Sequence, residues 1–314
     1  MRGLGVVCTF AVALAASCRP GTLADSPVTT AVCERVVSVQ AVGRLASPAL
    51  AEVSGIVPSR VHPNVFWVHN DSGHPELLFA IDRAGKLLGR YRLSSARCVD
   101  WEDIAVGREH PDGPSVLFIA DTGTNLAPRT RTAVYIVPEP KLPSGDPARE
   151  EVLGNVRAVS VRYPDGRARD VEALMFDPRD AALYFVTKTT TGTSEVYRAA
   201  VPLVGDNVLQ RVASIRTRKT DRRGSERVTA GDISEDGSRI VVRTYTQAFL
   251  WHRGAGQTVA EAMQTAPCKP FLAPESQGEA ITFDPAGRGF YSVSEGVARP
   301  IYFHALGDHP APTP

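Results

Sequence analysis

The chain predicts an all-β fold, a β-propeller, on three observations. A short apolar segment led by polar or acidic residues recurs about five times. Each copy is followed by further short strands, and helical periodicity is nearly absent. The recurring segment reads "SGIV", "EDIAV", "EALMF", "GDIS" and "EAITF", aligned on Ile56, Ile104, Leu174, Ile233 and Ile281. The copies stand 48 residues apart between Ile233 and Ile281 and 70 apart between Ile104 and Leu174. That is room for a blade of three or four strands.

Taken in order, the chain opens with a segment that reads as a secretory signal at residues 1–17. Arg2 is its positive end, residues 4–16 carry no charge, and "LAASC" closes it. Thirteen such residues are short for a membrane-crossing helix. The ending resembles a bacterial lipobox, with Cys18 as the lipidated first residue of the mature chain. Leu14 stands four residues before Cys18 rather than at the preferred third. An ordinary signal cut nearby is the alternative. The reading implies export, and attachment to the membrane's outer face through a lipid anchor, or secretion. Residues 18–34 are poor in core formers and read as a tether. Residues 35–308 form a single propeller domain, and 309–314 a tail.

Within the domain, "VVSVQAVGRL" (36–45) is a strand with no unit of its own. The five repeats follow. Their second strands are "VFWVHND", "VLFIADTG", "LYFVTK", "IVVRTY" and "FYSVSEG", set off by turns such as "DPRDA", "EDGS" and "DPAGRG". Outer strands follow in most units, and residues 257–264 are the one helical stretch. The last unit is short after "PIYFHAL", so the N-terminal strand should complete it and close the ring, leaving no open edge there. Five blades are counted. Six require a blade hidden between the second and third units. A two-sheet sandwich is the competing architecture, and the shared register argues against it.

Cys33, Cys98 and Cys268 lie outside the signal segment, enough for one disulfide and one thiol left over. The sequence leaves the pairing open. With 35 basic and 34 acidic side chains, there is no charge excess to suggest nucleic acid.

The repeat register sets acids in equivalent places. Glu102, Glu172 and Glu279 each precede the aligned apolar residue by two, Asp103 and Asp232 are read as sharing the next position, and Asp170 stands two before Glu172. Innermost propeller strands converge, so these acids should meet at one mouth. Carboxylates gathered there repel unless a cation sits among them. A hard cation such as Ca²⁺ suits oxygen ligands, with Glu102, Asp103, Glu172, Glu279 and Asp121 as candidate holders. The ends of the second strands supply Asn70, Asp71, Arg129, Lys188, Arg243, Tyr245 and Glu295 as candidate contacts to a small anionic ligand. The same cations could instead neutralise the acids without a metal. No Gly-x-Ser-x-Gly, Ser-x-x-Lys or phosphate-loop motif occurs. If the chain is catalytic, Glu102, Glu172 and Glu279 would hold metal or act as general bases.

The segments "SGIVPSR", "VFWVHNDSG", "DWEDIAVG", "FIADTGTN", "RDVEALMFDP", "QGEAITFDP" and "YSVSEG" together resemble secreted bacterial propellers of the phytase-like ("esterase-like activity of phytase") family, across roughly residues 46–306. The resemblance implies a propeller, export, calcium and hydrolysis of phosphate or other esters. The fuller acidic motifs of calcium-dependent phytases are not present. The expectation is therefore a metal-dependent hydrolase of a small anionic ester or lactone. A non-catalytic propeller binding a ligand or an envelope protein is the alternative.

Overall fold

The computed structural model describes residues 33–217 and 219–307, with residues 1 and 3. The signal segment, Cys18, the tether up to residue 32 and the tail lie outside the described residues.

Strand β1 (Arg35–Arg44) comes first and waits for the end of the chain. Blade one is β2 (Val53–Pro58), β3 (Val65–Asn70), β4 (Leu77–Asp82) and β5 (Leu87–Leu93). Blade two is β6 (Trp101–Arg108), β7 (Ser115–Asp121) and β8 (Arg131–Pro138). The chain then lays β9 (Glu150–Leu153) parallel to β5 of blade one before returning as β10 (Arg157–Arg162). Blade three is β11 (Val171–Asp177), β12 (Ala182–Thr187) and β13 (Thr193–Ala200). Here β14 (Asp206–Val208) steps back to lie parallel to β10, and β15 (Gln210–Arg216) completes the blade. Blade four is β16 (Val228–Ile233), β17 (Arg239–Thr244) and β18 (Ala248–His252). Helix α1 (Val259–Met263) follows, then blade five with β19 (Gly278–Phe283), β20 (Gly289–Ser294) and β21 (Pro300–Gly307). The count is five blades. The long interval between the second and third repeats holds β9 and β10, outer strands of two blades, and not a sixth blade.

Strand β1 pairs antiparallel with β21, from Arg35 opposite Gly307 to Arg44 opposite Pro300, so the N-terminal strand closes the ring as expected. Helix α1 is short because only its capping box defines it: Thr258 accepts from the Glu261 amide while Glu261 reaches back to the Thr258 amide.

Five apolar clusters fill the seams between successive blades. Trp67, Trp101 and Tyr91 pack between blades one and two; Phe118, Phe185 and Tyr163 between two and three. Met175, Phe249 and Trp251 fill the third seam, Ile281 and Phe290 the fourth, and Phe79, Tyr291 and Leu45 the last. Inner strands are buried on both faces, which is why they read as continuous apolar runs rather than alternating ones.

The disulfide is Cys33–Cys268, closing 235 residues, and Cys98 is the free thiol. Cys33 and the buried Glu34 thus belong to the propeller rather than to the tether. Cys268 also bridges Leu250 of β18, so the bond ties the start of β1 to the open side of the three-stranded blade four. Cys33→Ser with Cys268→Ser is expected to cost about 2–5 kcal/mol. Melting scans should show a fall of roughly 5–15 °C. Cys98→Ala should leave the melting temperature within a few degrees.

Candidate functional site

Each innermost strand carries a β-bulge near its start, at the same place in all five blades. The register breaks between Val53 and Gly55, Trp101 and Ile104, Val171 and Ala173, Val228 and Ala230, and Gly278 and Ala280. A bulge re-aims the extra side chain. The bulged residues are Ser54, Glu102, Glu172, Thr229 and Glu279. In blades one and four the bulge hydroxyl donates to the next blade's backbone, Ser54 to Glu102 O and Thr229 to Gly278 O. The other three blades place a glutamate there. The equivalence of Glu102, Glu172 and Glu279 therefore follows from a shared backbone irregularity.

Blade four departs from the sequence alignment. Its equivalent of Ile104 is Gly231, not Ile233, because the bulge falls at Thr229. Gly231 packs against Met175, where a side chain would crowd the sulfur at 3.0 Å. A slip of two residues keeps the same face of a strand, so the apolar pattern could not reveal it. Asp103 and Asp232 are accordingly not equivalent.

A second row lies two residues before each bulge: Glu52, Asp100, Asp170, Arg227 and Gln277. A third lies just past each second strand: Asp71, Thr122, Lys188, Tyr245 and Glu295. Three blades join these rows by the same backbone bond: Asp71 N–H to Glu52 O, Lys188 N–H to Asp170 O and Glu295 N–H to Gln277 O, at 2.8, 2.9 and 2.9 Å. The result is a mouth of converging carboxylates.

The acids meet most closely between blades one, two and three. One oxygen from each of Asp71, Asp100 and Glu102 lies within 4.8 Å of the others, and the same holds for Glu102, Asp170 and Glu172. Glu102 belongs to both groups. It is 1 % exposed, and its Oε1 is buried without a hydrogen-bond partner. The loop "TGTN" straps the pair of aspartates in place. Asn125 donates from its backbone and side chain to Asp100, at 2.5 and 3.0 Å, and the Thr124 amide donates to Asp170 at 3.0 Å. Gly123 between them must be glycine for space: a Cβ would lie 1.8 Å from Glu102 Oε1 and 2.5 Å from Asp100 Oδ2.

Burial dominates the charge state of these acids. It pushes Glu102 well above the usual carboxylate range, with Glu172, Asp71 and Asp100 adding to the rise. Burial carries Glu172 up to about 7 despite the Lys188 ammonium, and Asp71 up to about 6 with help from Asp100. Glu279 is raised by burial and by Glu172, and Glu295 by burial and by Glu52. Lys188 Nζ sits 2.7 Å from Glu172 Oε1 and lies over the Tyr245 ring at 5.1 Å. Burial alone would lower its affinity for a proton, but Glu172 and Tyr245 hold it charged.

Other expected site residues take different places. Asp103 accepts from the amides of Ile104, Leu174 and Gly231 at 2.9, 3.0 and 3.2 Å, stapling three inner strands, so its oxygens point away from the cluster's work. Asp232 does the same for Ile233 and Phe283 and accepts from Thr282 Oγ1. Asp121 is held by the Asp100 amide and by Arg129, whose other N–H groups donate to Gly123 O. Arg129 thus braces the strap. Asn70 donates to Ala49 O and accepts from the Glu52 amide, a turn role. Arg243 is fully buried on Glu275 at 2.7 Å, and donates to Ala280 O and Thr244 O. Glu279 and Glu295 share the Gln277 side-chain amide beyond the tightest group.

The sequence reading noted Asp170 and missed Asp100 and Gly123. Its signal was available: Asp-x-Glu occurs at 100–102 and at 170–172, with acids two apart leading equivalent strands. Gly123→Ala is expected to displace Glu102 and weaken divalent-cation binding at least roughly tenfold. Isothermal titration with CaCl₂ checks this, alongside a melting scan to verify the fold.

The oxygen set suits a hard cation. Ca²⁺ takes oxygens at about 2.3–2.6 Å, so ligands on opposite sides of one ion stand roughly 4.6–5.2 Å apart. The oxygens of each group lie near enough to one another to share an ion, and Glu102 has an unpartnered oxygen to offer it. Compared with known proteins, the chain matches no family model and no curated sequence.

Proposed function

We propose that the acidic mouth binds a divalent cation of the Ca²⁺ type, and that the chain works there as a metal-dependent hydrolase of a small anionic ester. The carrying observation is Glu102: a buried carboxylate with an unpartnered oxygen, set between two further acids on each side. Such a group is costly unless it is protonated or bound to a cation. Asp71, Asp100 and Glu102 would hold the ion, with Asp170 and Glu172 on its other flank. When bound, a cation of this kind supplies Lewis acidity and an attachment point for an anion.

That attachment point matters because the expected anion-binding cations are engaged elsewhere. Arg243 is spent on Glu275 and Arg129 on Asp121. Lys188 remains at the mouth, at 15 % side-chain exposure, and can shift from Glu172 toward an incoming anion. Glu172, whose proton affinity burial already raises, then becomes available to take a proton. The resemblance to phytase-like propellers points the same way.

Calorimetry with CaCl₂ should give saturable binding that Glu102→Gln weakens at least tenfold and Glu172→Gln weakens less. Hydrolysis of p-nitrophenyl phosphate and of a chromogenic lactone should require Ca²⁺ and stop with chelator. Calcium binding without hydrolysis of either would turn the reading to a non-catalytic, ligand-binding propeller. Absence of calcium binding would remove the hydrolase reading and leave a propeller that binds its ligand or partner without metal. The proposal places the chain outside the cytoplasm, held by a lipid on Cys18. No helix among the described residues is long and apolar enough to cross a membrane. Palmitate labelling of the natural chain but not of Cys18→Ser is the corresponding check.

A further inference from the structure

We propose that Lys188 is a built-in cation that fills one of two seats among the mouth carboxylates, so that the resting protein takes one divalent ion there and not two. The inference rests on the reading of the mouth as a cation site. It adds the number of ions and the residue that sets that number.

The acids offer two seats. Asp71, Asp100 and Glu102 form one, and Glu102, Asp170 and Glu172 form the other, with the offered oxygens of each group within 4.8 Å of one another. Both are all-oxygen sets, the kind a hard cation takes. They share Glu102, whose buried Oε1 has no hydrogen-bond partner. From the acids alone, two ions bridged by this carboxylate would be expected.

The seats differ in their counter-charge. Asp71 accepts from the Ser72 amide, and Asp100 from the backbone and side chain of Asn125. Neither of them, nor Glu102, has an ion-pair partner among the described residues. The second seat already holds a cation: Lys188 Nζ stands 2.7 Å from Glu172 Oε1.

That ammonium is held at both ends. The Lys188 N–H donates to Asp170 O at 2.9 Å, so the side chain sets out from the strand pair that carries the seat. Its tip lies over the Tyr245 ring at 5.1 Å, and the side chain is 15 % exposed. Its charge also favours the ionised forms of Asp71, Glu102, Glu279 and Glu295, so it acts on acids of blades one, two and five as well as on Glu172 of blade three.

An ammonium is a compact point charge with three N–H donors, and it offers gathered carboxylates much of what a bound ion would. A second divalent ion on Glu172 would meet it almost in contact, where like charges repel strongly in partly buried surroundings. An ion on Asp71, Asp100 and Glu102 leaves Lys188 in place on Glu172. The chain thus supplies one counter-ion itself and leaves the other seat to metal.

Equilibrium dialysis against CaCl₂ at pH 8, with the bound calcium counted per chain, is the test. The natural chain should bind one ion at the mouth, a count that needs no variant. Lys188→Met keeps the length of the side chain, removes its charge and should bind two. Adding Glu172→Gln to Lys188→Met should return the count to one. Lys188→Arg keeps the charge and should bind one, which separates loss of the cation from a change of shape. All four are prepared in calcium, and melting scans verify that each is folded. Two ions in the natural chain, or one ion in Lys188→Met, would overturn the proposal and leave the mouth standing as a cation site. No ion in any of these proteins would overturn the reading of the mouth, and this inference with it.

Discussion

Replacing Arg243 by alanine is expected to destabilise the propeller by about 3–5 kcal/mol, with or without calcium. Arg243 is 0 % exposed and its partner Glu275 is 2 % exposed at the side chain. Removing the guanidinium leaves Glu275 buried with Ser292 as its remaining donor. It also frees the carbonyls of Ala280 and Thr244, which Arg243 now satisfies. Those carbonyls belong to blades five and four, so the side chain works as a bolt between them. Glu275→Ala should cost a similar amount, because it strands the cation instead. The double variant Arg243→Met with Glu275→Leu should recover much of the loss, as apolar side chains replace a pair whose desolvation nearly cancels its attraction. Urea unfolding of the four proteins measures these differences. If Arg243→Ala cost less than about 1 kcal/mol, the bolt would not exist. The same experiment separates this pair from the mouth: were Arg243 the counter-charge of Glu102 and Glu172, calcium would compensate for its loss. The geometry says that it will not.

The mouth carboxylates of the metal-free protein are expected to lose their contribution to stability as pH rises from about 4 to about 8, opposite to the contribution of His69 and His304, whose burial holds them at about 4. The direction follows from the carboxylates. Asp71 and Glu172 have folded values raised from 3.8 and 4.5 to about 6 and about 7. Glu102 and Glu279 are also raised. Between the unfolded and folded values the native state binds more protons than the unfolded one, so raising the pH favours unfolding. Stability is full below about pH 4 for these groups and is lost through about pH 7. Each raised unit corresponds to about 1.4 kcal/mol, so Glu172 alone contributes on the order of 3 kcal/mol. Calcium should reverse the loss by binding the deprotonated cluster, by about 2.7 kcal/mol at a hundredfold excess over its dissociation constant. Melting scans in chelator and in CaCl₂ at pH 5 and pH 8 decide it. Calcium should raise the melting temperature at pH 8 and have little effect at pH 5. Glu102→Gln should flatten the metal-free pH trend and blunt the calcium response together. A pH trend in chelator that was the same in the natural chain and in Glu102→Gln would refute the assignment, because His69 and His304 contribute equally to both.

The propeller itself was legible in the sequence because blades repeat and repetition is a one-dimensional signal. Four of the five aligned apolar residues and the orphan strand at residues 36–45 survive in the fold, and β1 closes on β21 as the short last unit required. The equivalence of Glu102, Glu172 and Glu279 was legible for the same reason. Four things were not. The pairing of Cys33 with Cys268 joins residues 235 apart, and no local pattern distinguishes it from a bond to Cys98. The register of blade four slipped by two, because strand periodicity repeats at two and Gly231 leaves no apolar mark. The division of labour among charged residues was also hidden. Asp103 and Glu102 are neighbours in the chain, yet one is consumed by three backbone amides and the other keeps one oxygen unpartnered. Arg243 and Lys188 lie near the ends of equivalent strands, yet Arg243 stands at the Val186 position and faces Glu275 inside a seam, while Lys188 lies just past its strand and faces the mouth. Lastly, a cavity of about 440 Å³ at the far end is lined by residues of four blades, Arg60, Val106, Phe176 and Ile233 among them, and nothing in any one blade announces it. The sequence by itself determined which residues repeat. Only the closed ring decided which repeated residues meet, because a hydrogen bond or a charge pair depends on distances that sequence position does not encode.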